Sequence, residues 1–287
     1  MATQAFAPAK INLTLHVTGQ RSDGYHLLDS LVVFADIGDV VRVQTAPAQS
    51  LTVTGPCASG VPTGPDNLVL RAANWLGTPP AAITLEKHLP TASGIGGGSS
   101  DAAATLRALS ECFAVNLPTA TAELGADVPV CLAARPTRMT GIGDALIEIP
   151  SLPPLHFVLV NPGVPVATAD VFRKLTHKDN RPMLPELPPW KSAQNLADWL
   201  ALQRNDLEPA ARSLRPAIGV ILSRIAQTGG CLLARMSGSG ATCFGLYGTR
   251  PEADFAAQSL IQLHPDWWIK SASSWQLGDP PLGDSHF

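Results

Sequence analysis

The chain has 287 residues and a formal net charge of −3, from 20 Lys and Arg against 23 Asp and Glu; this balance excludes a general binder of nucleic-acid backbones, which needs a basic surface. Charged residues make up 15% and hydrophobic residues 45%, which excludes disorder as the overall state and allows one large domain or two smaller ones of roughly 100–200 residues each. No apolar run approaches the ~20 residues of a membrane helix, no signal-peptide pattern opens the chain, and the five cysteines form no C-x-x-C pair, so a cytoplasmic protein without disulfides, zinc or a membrane partner is expected.

In chain order, Ile11, Leu13, Leu15 and Val17 alternate with polar residues and predict a strand. Lys10 and Asn12 share its other face, because side chains two apart on a strand point the same way. A turn signal at Arg21-Ser22-Asp23-Gly24 is followed by β-rich stretches at 28–34, 39–45 and 51–54, read as separate strands. Residues 66–76 have helical spacing with Asp66 as their start, and 82–87 read as a strand. Helices are expected over 101–113 and 120–125. The Pro-rich stretch 151–154 suggests a hinge, which divides the chain into domains 1–152 and 153–287, with a new strand at 157–160. Residues 179–190 hold four prolines and read as an extended or mobile loop. Helices at 192–200 and 217–228, a strand–turn–strand over 232–247, a helix near 252–263 and a last strand complete the chain, with a tail from 278 to 287 expected to be poorly ordered.

The segment Pro90-Thr91-Ala92-Ser93-Gly94-Ile95-Gly96-Gly97-Gly98-Ser99-Ser100 carries the most information. Its glycines are costly to order, and they run straight into a helix whose first turn has unpaired N–H groups and the positive end of the dipole. Such an arrangement cradles anions, most often phosphate, and Ser99 and Ser100 add hydroxyls for phosphate oxygens. A Walker loop is set aside because no Lys follows the glycines. A dinucleotide turn would want a third glycine and an acidic residue ~20 positions on, where Ser99 and Asn116 stand. A flexible glycine turn without a ligand is the remaining alternative. Asp127, before Pro129, is a lone acid whose ordinary reading is a cap or turn, and Ser237-Gly238-Ser239-Gly240 on its own reads as a hairpin turn.

Taken together, Pro8-Ala9-Lys10-Ile11-Asn12, the 94–101 segment, Leu124–Pro129 and Ser237–Phe244 resemble the small-molecule kinase superfamily of galactokinase, homoserine kinase, mevalonate kinase and phosphomevalonate kinase. Gly19–His26, Asn161-Pro162-Gly163 and Asn205–Pro209 narrow the resemblance to the branch acting on cytidine-diphosphate methylerythritol, over residues 5–275. The resemblance implies a two-domain mixed α/β (α+β) fold, with a ribosomal-S5-like N-terminal and a ferredoxin-like C-terminal domain and the site in the cleft between them. It further implies ATP and Mg²⁺ as cofactors, with residues 90–100 around the triphosphate and Asn67 near adenine. Asp127 would take the proton of a substrate hydroxyl, and Lys10 would hold Asp127 ionised. Asn12, Tyr25, His26, Phe172, Ser239 and Gly240 would bind the substrate, His26 reading the cytosine edge and Phe172 stacking on it. No side chain is assigned to a metal. A sister kinase and a non-catalytic nucleotide-binding module remain the alternatives at this point.

Overall fold

The computed structural model describes residues 2–149 and 152–279. Its first half runs β1 (Ala2–Asn12), β2 (His16–Gln20), β3 (His26–Thr45), β4 (Ser50–Thr54), α1 (Leu68–Leu76), β5 (Ala81–Glu86), α2 (Gly97–Phe113), α3 (Val128–Ala133), β6 (Thr137–Gly141) and β7 (Ala145–Glu148). The second half runs β8 (His156–Asn161), α4 (Thr168–Arg173), α5 (Ala193–Ala201), α6 (Glu208–Leu214), α7 (Ala217–Ala226), β9 (Cys231–Met236), β10 (Cys243–Tyr247), α8 (Arg250–Leu263) and β11 (Trp268–Trp275). The strands join in one sheet whose main path is β4-β5-β3-β11-β8-β10-β9, with β1, β2 and β6 also pairing with β3.

Strand β3 organises this sheet. The two stretches 28–34 and 39–45 are one twenty-residue strand, because the connecting residues find partners too. Ala35 pairs with Ser274 of β11, and the Asp36 carboxylate accepts the Ser273 N–H at 2.7 Å and an Arg250 N–H at 3.1 Å. The strand expected over 11–17 is instead split between β1 and β2, with a bend that lets Leu13 and Thr14 bond to Leu31 and Leu15 bond to Arg204. Both halves therefore feed one buried cluster, in which Ile11, Leu31 and Val33 pack with Phe157, Phe244 and Leu246. At about 1.5–3 kcal/mol per fully buried large apolar side chain, that shared core ties the two halves of the chain together.

The helices follow their apolar stripes. On α7, Ile218, Ile221 and Ile225 lie on one buried face against β9 and β10, the i, i+3, i+7 spacing of an amphipathic helix. The helix expected over 192–200 is α5, with Ser192 as its N-cap rather than its first helical residue. The start of α1 is Asn67 rather than Asp66; its Oδ1 accepts the Val69 N–H at 2.8 Å. No helix forms over 120–125, where successive short turns link Thr121 to Leu124 and Ala122 to Gly125. The helix begins at Val128 instead, with Pro129 in its first turn, where a missing N–H costs nothing.

The proline-rich stretch 179–190 is extended, as its composition suggests, but it is fastened. Arg138 of β6 grips Asp29 with two N–H groups at 2.8 and 2.7 Å and donates to the carbonyls of Leu184 and Pro185. Asp29 in turn accepts the Met183 N–H at 2.8 Å. Ser151 of the expected hinge and residues 280–287 of the expected disordered tail lie outside the described residues.

Candidate active site

A cleft of about 1010 Å³ opens beside the end of β1 and the start of α2. That is the upper end of the size usual for a small-molecule site, as two ligands side by side require. Its lining brings together Lys10, Asn12, Asp127, Tyr25, His26, Phe172 and Ser239, residues as far apart in the chain as 10 and 239.

Lys10 is 4% exposed, and its ammonium meets the Asp127 carboxylate at 2.7 Å. The backbone N–H of Lys10 donates to Ile95 O at 2.9 Å, which ties β1 to the glycine segment. Gly96 adopts φ +67, and a Cβ there would stand 3.0 Å from the Lys10 Cβ, so only glycine lets the lysine cross so close. Asp127 sits at the N-cap of α3, yet its carboxylate makes no capping bond. It is kept for Lys10 and for the cleft, where its side chain remains 36% exposed.

The glycine segment divides in two. Residues 90–96 form the loop, and Gly97 and Gly98 already belong to α2, four residues earlier than the expected start at Asp101. Pro90, Thr91, Ala92, Ser93, Gly94, Gly96, Gly97, Gly98 and Ser99 line the cleft. Two neighbours turn away. The Ile95 side chain is fully buried in the shared core, and the Ser100 hydroxyl, also fully buried, donates to Pro8 O at 2.8 Å. Neither side chain is available to a phosphate, because apolar packing claims one and a backbone carbonyl the other. Asp101 is not a helix-start residue either; it lies buried in the second turn of α2.

The turn 237–242 interlocks with this loop. Ser237 Oγ accepts the Asn12 N–H at 3.1 Å and donates to Gly94 O at 3.1 Å, while Thr242 N–H donates to Ser93 O at 3.0 Å. A Cβ on Gly94, at φ +74, would stand 2.6 Å from Ser237 O. The two other motifs act as braces. Asn205 donates to the carbonyls of Met236 and Gly238, both at 2.8 Å, and Asn161 donates to Thr242 Oγ1 at 2.9 Å. Gly240 is buried, and a Cβ there would stand 2.7 Å from Met236 Sδ; its contribution is to the turn rather than to the cleft wall. Ser239 faces the cleft and shares a 2.9 Å hydrogen bond with Thr168 at the start of α4.

At the other end of the cleft, the His26 and Phe172 rings stack with centroids 4.8 Å apart and 27° between their planes, and Tyr25 stands 60% exposed beside them. Burial, and then Lys178, push the His26 imidazole below the usual histidine range, which favours the neutral ring. Asn67 also lines the cleft, with its amide committed locally, donating to Pro62 O at 2.6 Å and capping α1.

Three cleft residues hold buried polar atoms without a hydrogen-bond partner: Asn12 Oδ1, His26 Nε2 and Asp101 Oδ1. Buried polar atoms are normally satisfied, so their grouping around one cleft points to a polar ligand. Among the described residues no three His, Cys, Asp or Glu side chains gather into a cation cage, and no helix is long and apolar enough to cross a membrane. Sequence reasoning missed Lys87 and Thr168, which have no motif of their own, and Asp101 as a cleft residue; an acid in an otherwise Ala-rich helix was the available signal for the last.

Comparison with known proteins agrees with this geometry. Residues 67–147 match the GHMP kinases N terminal domain and residues 183–266 the GHMP kinases C terminal model. The 4-diphosphocytidyl-2-C-methyl-D-erythritol kinase of Dinoroseobacter shibae is 61% identical over 264 residues, 92% of each chain. That of Cereibacter sphaeroides is 59% identical over 273 residues, 94% of this chain and 98% of its own. A crystal structure of 4-(cytidine 5'-diphospho)-2C-methyl-D-erythritol kinase superposes with a TM-score of 0.76 at 33% identity, covering 94% of this chain and 98% of that one. Homoserine kinase from Cytophaga hutchinsonii, at 18% identity and a TM-score of 0.65 over 96% of this chain and 95% of its own, shares the fold. With the two-domain fold, the cleft and these relatives in agreement, the chain belongs to the GHMP family of ATP-dependent small-molecule kinases and, within it, to the 4-diphosphocytidyl-2-C-methyl-D-erythritol kinases.

Proposed function

We propose that the protein transfers the γ-phosphoryl group of ATP to the 2-hydroxyl of 4-diphosphocytidyl-2-C-methyl-D-erythritol, a step of the non-mevalonate isoprenoid route in the cytoplasm. The observation that carries this reading is the Lys10–Asp127 pair, 2.7 Å apart, in one cleft with a glycine-flanked helix start and an aromatic pair. Phosphoryl transfer asks a protein chiefly for positioning and charge neutralisation, and these parts supply both.

In this reading the amides of residues 94–99 and the positive end of α2 hold the triphosphate. The substrate hydroxyl loses its proton to Asp127 as its oxygen bonds to the γ-phosphorus. The bond from that phosphorus to the β–γ bridging oxygen breaks, and ADP leaves. Lys10 orients the carboxylate through their 2.7 Å ion pair and offers positive charge to the moving phosphoryl group. Mg²⁺ would supply further neutralisation. A site without a carboxylate cage fits an ion that enters on the nucleotide's phosphates and keeps its waters, the usual habit of Mg²⁺. Tyr25, His26 and Phe172 take the cytosine, with the free His26 Nε2 reading its edge, and Asn12 and Ser239 orient the rest of the substrate. Asn67 borders the adenine. The division into domains at 152/153 belongs to the same proposal, supported by family models that match on either side of it.

A substrate panel tests it. Purified protein with ATP and Mg²⁺ releases ADP with the cytidine-diphosphate substrate and not with homoserine or mevalonate. Turnover of either of those instead identifies a sister kinase, and ATP binding without ADP release under any substrate identifies a non-catalytic module.

A further inference from the structure

Behind the glycine segment lies an ionic group that the transfer chemistry leaves unused. Lys87, one residue past β5, is 3% exposed; its ammonium donates to Asp39 Oδ2 and, at 2.8 Å, to Asp101 Oδ2. Asp39 is fully satisfied, since its Oδ1 accepts the N–H groups of His88 and Leu89 at 2.6 and 2.8 Å. Asp101 is not: its Oδ1 is buried with no partner. Both Lys87 and Asp101 belong to the cleft wall, and a Cβ on Gly97, the first residue of α2, would stand 3.5 Å from Lys87 Nζ.

Two ionised carboxylates and one ammonium would leave a net charge of −1 sealed behind a cradle for anions. That charge would repel a polyphosphate, and the bare oxygen would go unsolvated. One proton on Asp101 makes the cluster neutral and replaces an unsolvated anionic oxygen by an uncharged hydroxyl, which costs far less to bury. Burial pushes the Asp101 carboxyl up to about 8; Lys87 pulls against that and Asp39 adds to it. Around the cluster, β1 contributes Lys10, already paired with Asp127 at the start of α3. Cys131 of α3 and Cys57 after β4 both have thiols pushed up, first by burial. Arg107 of α2 is spent on the carbonyls of Phe6 and Cys131, and Arg71 of α1 is exposed.

We infer that Asp101 serves behind the nucleotide cradle as an uncharged acid, and that nucleotide binding is linked through charge to keeping this proton. The inference rests on the reading of residues 94–99 as the nucleotide cradle. The sign follows from charge. A bound polyphosphate disfavours the ionised carboxyl, so above about pH 8 binding takes up a proton and affinity falls, by up to about tenfold per pH unit. At lower pH Asp101 is protonated with and without nucleotide, and this contribution is flat.

Calorimetry with a non-hydrolysable ATP analogue and Mg²⁺, from pH 7.5 to 9.5 in buffers of different ionisation heat, tests this. The wild-type protein is expected to take up close to one proton at pH 9 and to lose affinity progressively. Asp101→Asn, which mimics the neutral acid, is expected to lose both the uptake and the pH dependence. No proton uptake by the wild type at pH 9, or uptake retained in Asp101→Asn, overturns the inference. The wild-type proton count stands without the variant. An analogue that binds at no pH overturns the cradle reading itself.

Discussion

Lys10 and Lys87 both meet carboxylates in the same cleft, and water treats the two groups differently. Lys10 has one partner, Asp127, whose side chain is 36% exposed; Lys87 has two, Asp39 and Asp101, whose side chains are 0% and 5% exposed. A half-open carboxylate beside one ammonium is within reach of a substrate in the cleft. A sealed pair around one ammonium holds elements together, here β3, the end of β5 and α2. On the proposed function, the same residue types serve reactivity in one place and rigidity in the other, and the difference lies in stoichiometry and solvent access.

Breaking the open pair has the largest expected effect. Asp127→Asn is expected to lower kcat by about 10²- to 10⁴-fold, the range of a general base, with nucleotide affinity nearly intact because the cradle is separate. Near-normal turnover in steady-state assays would refute the base assignment. The comparison sharpens when one substitution is made at both lysines. Lys10→Met is expected to cost about 10²- to 10³-fold in kcat with little change in thermal unfolding, since Asp127 stays hydrated. Lys87→Met leaves two buried acids without a cation and is expected to cost about 3–5 kcal/mol of stability, read as a lowered unfolding midpoint. An exchange of these phenotypes between the two variants would mean that Lys10 is the structural lysine and Lys87 the reactive one. The smallest effect lies outside both groups. His26→Ala is expected to raise KM for the cytidine substrate by roughly tenfold, the order of one hydrogen bond with its stacking contact, without moving KM for ATP. A change confined to ATP would count against His26 as the base reader.

Elements with their own local signal were legible. The α7 stripe of Ile218, Ile221 and Ile225, the helix after Ser192 and the hairpin around Ser237–Gly240 formed where spacing and turn chemistry indicated. The merging of 28–34 with 39–45 was not legible, because Ala35 and Asp36 continue the strand only through partners on β11 and α8, more than 200 residues away. The helix expected over 120–125 did not form: short turns link Thr121 to Leu124 and Ala122 to Gly125, while Pro129 gives the next segment a better start. The proline-rich stretch was legible as extended, but its anchoring by Asp29 and Arg138 was not.

The site divides along the same line. Local patterns and motif resemblance alone singled out Lys10, Asp127, the glycine segment and the aromatic residues as site candidates, and all of these stretches contribute to one cleft. Only the tertiary structure decided that Ile95 and Ser100 turn inward, that Ser237 locks the loop, and that Asp101 joins Lys87 and Asp39 in a closed cluster. Burial and partnership depend on which distant strand or helix arrives alongside. A run of neighbouring residues encodes the backbone's local preference; the dielectric around a charge is set by the whole fold.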